Sequence, residues 1–171
     1  LRNGFKYNNN CKLGITKKHE MNRKVVIIGS PLSAQPKAFK VGVYTDAKNY
    51  YNFFTSPTGG AYASNEITYL ENPTLYTLKQ TLAGLPAEHI TVVFSGHGGT
   101  GRISKRTLLV INENERVSVG EIIRFVFSPR LSIIADSCRS YIDDEWSGFG
   151  DLESVDGSIH FPSYLTLQKA R

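Results

Sequence analysis

A chain of 171 residues that is 40% apolar and 20% charged is long enough to bury one core and too apolar for a disordered segment. Its net charge of +5 is local: residues 1–24 hold seven Lys/Arg against Glu20, so the remainder carries −1, which argues against a basic nucleic-acid-binding domain. No run of about eighteen apolar residues exists, so no membrane span is expected, and the opening residues show no secretory signal.

Residues 1–23 read as a flexible basic leader, with Asn8-Asn9-Asn10 and no apolar periodicity. Val25-Val26-Ile27-Ile28 is a continuous apolar run, as expected of a strand covered on both faces. Residues 32–41 read as loop. Asp46 to Phe54 reads as a helix with Ala47, Tyr50, Tyr51 and Phe54 at helical spacing, stopped by Ser56-Pro57-Thr58-Gly59-Gly60. Ile67 to Leu70 is a short strand. Thr74 to Leu82 is a helix after Pro73, with Leu75, Leu78 and Leu82 on one face. His89 to Phe94 is a second buried strand. Gly98-Gly99-Thr100-Gly101 reads as a flexible turn. A hairpin is expected from Ile103–Ile111 and the stretch around Val117. Val119 to Phe127 follows as a helix capped by Ser118, and Leu131 to Ala135 is a third buried strand. Strands alternating with helices predict an α/β layered fold with a largely parallel central sheet.

Two of these strands end in chemistry. Val92 to Gly99 delivers His97, and Leu131 to Ser140 delivers Cys138. Two parallel strands bring such side chains to one sheet edge, where open α/β sheets place their ligands. A thiol needs a base nearby to become a thiolate at neutral pH, so Cys138 is the candidate nucleophile and His97 the candidate base. The structural alternative for Cys138 is a small buried hydrophobe. Asp136, Ser137, Arg139 and Ser140 around it are poorly suited to an apolar plug. Cys11, in the leader, is an incidental thiol. Two cysteines make no disulfide framework, and a working Cys138 fits an intracellular, cytoplasmic location. His19, His89 and His160 compete poorly with His97.

Ser-Gly-His-Gly after one strand, and Asp-Ser-Cys after another 41 residues beyond the histidine, resemble the caspase-like cysteine proteases, the metacaspase branch most closely. Lys24 to Gly29 resembles that family's first strand. Gly42-Val43-Tyr44-Thr45-Asp46-Ala47 resembles its Gly-x-x-x-Asp-Ala turn into the first helix. The likeness covers residues 24–140, the expected catalytic core. It implies a caspase-like fold and a cysteine-type endopeptidase that cuts peptide bonds with a Cys-His dyad. It further implies that the backbone N–H groups of Gly98 and Cys138 face the oxyanion, and that an acidic pocket takes Lys or Arg before the cut bond.

The positions matching that pocket are Asp46, Ser95 and Asp136. The structural alternatives are a helix N-cap for Asp46 and a hydrogen-bonded strand end for Asp136. Arg102 and Arg139 keep open a caspase-type preference for aspartate. Arg139 and Ser140 also depart from the His-Ser-Gly that often follows the family's cysteine. Residues 141–171 begin with an acidic, glycine-interrupted stretch and read as an exposed loop and an incomplete C-terminal part, since the family continues with a further strand and helices. Calcium activates many metacaspases. Only Glu113 and Glu115 follow His97 closely, and the tail lacks EF-hand spacing, so the sequence shows no required cofactor, and calcium activation is open but without support in its residues. The expected partner is a polypeptide with a basic residue before the cut bond, not nucleic acid or a membrane. A non-catalytic or incomplete caspase-like interaction module is the alternative reading.

Overall fold

The structure is a computed structural model that describes residues 22–137 and 141–142. The leader through Met21, Cys11, Cys138, Arg139, Ser140 and the acidic stretch from 143 onward lie outside the described residues.

A four-stranded sheet, ordered β2-β1-β3-β7, is parallel throughout. Its strands are β1 (Arg23–Ser30), β2 (Ile67–Glu71), β3 (His89–Gly96) and β7 (Arg130–Asp136). The two central strands are nearly inaccessible, and both of their faces are covered, which is why they read as unbroken apolar runs. Side chains alternate between the faces. Val25, Ile27 and Val93 pack with Ala47 and Phe54 of α1 (Lys37–Thr55) and with Tyr62. Val26, Ile28, Ile90, Val92, Phe94, Leu131 and Ile133 point the other way. They meet Leu78 and Leu82 of α2 (Leu75–Ala83) and Ile122 of α3 (Val119–Phe125). A second sheet, ordered β6-β5-β4-β8, adds Leu109 and Val117 to that larger cluster. It consists of β4 (Gly98–Gly101), β5 (Thr107–Val110), β6 (Arg116–Ser118) and β8 (Tyr141–Ile142).

The mixed α/β architecture and the parallel sheet agree with the sequence reading; β1 starts at Arg23, one residue before the expected core boundary. Thr74 caps α2 by accepting from the Thr77 N–H, and Ser118 with Glu121 forms a capping box on α3. The expected hairpin forms between β5 and β6, with Val110 opposite Arg116.

Two expectations are corrected. α1 begins at Lys37, so residues 37–41 are helical rather than loop, and Asp46 lies mid-helix rather than at an N-cap or in a turn. Pro36 starts the helix with no side-chain cap, so the usual Ser/Thr/Asp/Asn start signal is missing. Gly98–Gly101 is not a flexible turn but strand β4, antiparallel to β5. Small residues let it lie flat where two sheets meet.

Candidate active site

Strand order sets the location. The chain leaves β1 for β2 on one side and later returns to β3 on the other. The carboxyl ends of β1 and β3, where the strand order reverses, are where parallel sheets of this kind place ligands. His97 stands there, between β3 in one sheet and β4 in the other. Gly96 makes the exit possible. A Cβ on it would lie 3.0 Å from both the Phe94 ring and the Ser30 Cβ. The Val110 N–H donates to the His97 carbonyl at 2.9 Å, tying the histidine backbone to the second sheet. The His97 ring stacks flat on Phe39 of α1, with centroids 4.1 Å apart and planes 7° from parallel. Its Nε2 is buried and has no hydrogen-bond partner among the described residues.

Cys138 lies outside the described residues, but its chain predecessor does not. Ser137 packs against Gly98, where an added Cβ would fall 2.7 Å from the Ser137 Oγ. The residue after the histidine and the residue before the cysteine therefore touch. The same hydrogen bond from Val110 to His97 makes Gly98 and Leu109 a pair that exchanges no hydrogen bonds, so the Gly98 N–H points away from β5. The β4–β5 ladder does not use that donor.

The three expected pocket residues come together. Parallel register puts Ser95 of β3 beside Asp136 of β7. Side-chain alternation sends both to the α1 face, with Val93 and Ile134. Asp46 meets them from α1: the buried Ser95 hydroxyl donates to the Asp46 Oδ2 at 3.0 Å. A cleft of about 390 Å³ opens between helix and strand, lined by Asp46, Asn49, Tyr50, Phe53 and Asp136. Desolvation, together with the neighbouring Asp46 charge, raises the Asp136 pKa. Desolvation, then the charges of Asp136 and Asp46, raises that of Tyr50 and keeps it a neutral phenol at physiological pH.

Other candidates lie elsewhere. His89 opens β3 at the opposite edge, with its Nε2 3.0 Å from the Ser132 Oγ. Arg102 is exposed in the turn after β4 and does not line the cleft. Glu113 accepts from the Ser33 N–H and hydroxyl. Glu115 accepts from the Leu75 N–H and the Asn112 side chain, so both hold loops in place. Among the described residues no group of three or more His, Cys, Asp or Glu side chains gathers in a way suited to a metal ion.

Phe39, Tyr50 and Phe53 escaped the sequence reading as site residues. With Asp46 they follow helical spacing along α1, and such a stripe ordinarily means core. Comparison with known proteins adds no family: no protein-family model and no curated protein matches this chain. No helix among the described residues is long and apolar enough to cross a membrane.

Proposed function

We propose that this chain has a caspase-like fold and is a cysteine endopeptidase of the caspase/metacaspase type, cutting after Arg or Lys. The observation that carries the proposal is the convergence of Asp46, Ser95 and Asp136 on one side of the sheet edge that bears His97. The contact of Gly98 with Ser137 supports the pairing of the two motifs.

In this reading His97 takes the Cys138 thiol proton. The thiolate attacks the peptide carbonyl carbon, and the carbonyl π pair moves to oxygen. The N–H groups of Gly98 and Cys138 receive that oxyanion. Collapse breaks the C–N bond, and imidazolium protonates the leaving amine. Water then attacks the thioester carbonyl, giving up a proton to His97; the C–S bond breaks, the carboxylic acid leaves, and imidazolium returns the proton to the thiolate. The side chain before the cut bond sits in the acidic cleft, where two carboxylates favour a cation.

An electrophilic peptide ending in arginine tests this. It should label Cys138 and leave Cys11 untouched. Labelling should vanish in Cys138→Ala and slow at least tenfold in His97→Ala, in line with the loss of a general base. Equal labelling of both cysteines, or indifference to His97, would support the non-catalytic module instead.

A further inference from the structure

We infer that the cleft discriminates between the two basic side chains, holding the planar guanidinium of arginine in preference to the ammonium of lysine through the aromatic wall formed by Tyr50 and Phe53. The inference rests on the reading of this cleft as the substrate side-chain site. Four of its five lining residues, Asp46, Asn49, Tyr50 and Phe53, come from α1 at spacings of three, four and seven, so they share one helix face. The fifth, Asp136, faces them from the end of β7.

This wall does more than supply charge. Phe53 is 50% exposed although its helix neighbour Phe54 is buried. The two rings meet edge to face, with centroids 5.3 Å apart. Tyr50 is half-buried against the core cluster on one side and borders the cleft on the other. Both residues therefore hold aromatic surface beside two carboxylates. A guanidinium satisfies both features at once. Its edge carries five N–H donors in a fixed fork for Asp46 and Asp136, and its flat, weakly hydrated face stacks on a ring. An ammonium pairs with the carboxylates but has no flat face, and it gives up more hydration on leaving water. The Asp46 Oδ2 already accepts from Ser95, which orients that carboxylate and leaves Oδ1 for the ligand. Asn49 adds a neutral acceptor.

The test measures binding rather than turnover, in the full chain carrying Cys138→Ala. Two short acetylated peptide amides, identical except for a terminal arginine or lysine, are titrated at the same ionic strength. Arginine should bind more tightly by at most about two- to fivefold, the value of one whole cation–π contact at a partly exposed site, part of which lysine retains. Phe53→Leu should remove most of that advantage, weakening arginine binding more than lysine binding. In the chain with Phe53 intact, the arginine δ-methylene protons should shift upfield on binding through ring currents, a readout that does not depend on how the leucine variant folds. Equal affinities with no such shift, while Asp136→Asn weakens both peptides alike, overturn the aromatic selection and leave the acidic pocket standing. Failure of both peptides to bind overturns the selection together with the pocket. Arginine-selective binding by a chain whose wild type cleaves nothing would uphold the inference and fault only the proposed hydrolysis.

Discussion

Asp136 shows how a desolvated carboxylate can weigh on the fold that carries it. Burial and the Asp46 charge both favour its protonated form in the folded state, so its folded pKa lies above the unfolded value. The resulting stability is fully present below the unfolded pKa and is lost as pH rises through the folded one. At neutral pH the ionised group therefore opposes folding slightly. Asp136→Asn should raise the melting temperature at pH 7, and the gain should shrink as the pH falls toward 4; thermal unfolding across that range checks it. Binding of a cationic peptide to the wild type should weaken over the same descent, as the carboxylate takes up its proton. The convergence of Asp46, Ser95 and Asp136 was legible only through their motif positions, since nothing in their local pattern separates a carboxylate that meets a neighbouring strand from a helix cap. Phe39 and Tyr50 were not legible, because an aromatic at helical spacing looks the same whether it meets the core, a histidine ring or a cleft. Tyr50 in fact borders both the core and the cleft.

Among the elements, the ones with strong local signals were found and those without were missed. β1, β3 and β7 announce themselves as β-branched runs, and α3 by its Ser118 and Glu121 box. The first turns of α1 carry no cap signal and include Gly42, so their helicity comes from tertiary packing, Val43 and Ala47 being buried. β4 exists because β5 pairs with it, a long-range fact that a glycine-rich tetrapeptide does not advertise. Its first residue is also tightly constrained. A Cβ at Gly98 would lie 2.9 Å from the Leu108 carbonyl oxygen, a backbone atom with little room to yield, and 2.7 Å from the Ser137 Oγ. Gly98→Ala should cost about 1–3 kcal/mol of stability by overpacking, measurable by urea denaturation. Because the clash pushes on the residue before Cys138, electrophile labelling of Cys138 should also slow under conditions where the variant remains folded. Unchanged labelling would mean that this contact does not set the cysteine's position.

At the scale of the whole molecule, one large apolar cluster joins the parallel sheet, two helices and the second sheet. The buried Ser30 hydroxyl, donating to the Ile111 carbonyl at 3.0 Å, adds a polar tie between the two sheets. The parallel sheet was legible because full burial leaves continuous apolar strands, whereas its partnership with a second sheet depends on pairings distant in sequence. The strand order reverses between β1 and β3, beside His97, and the acidic cleft lies between α1 and the carboxyl end of β7. The central claim is that this edge cleaves peptides after a cation held by two carboxylates. Its most direct test compares kcat/KM for peptides differing only in Arg, Lys, Asp or Ala before the cut bond, in wild type and Asp136→Ala. The account predicts cleavage after Arg and Lys with little after Asp. Asp136→Ala should raise the barrier for the basic peptides by about 2 kcal/mol or more, roughly a 30-fold loss, with a much smaller change for the Ala peptide. A preference for Asp, or equal cleavage of all four peptides, would contradict it.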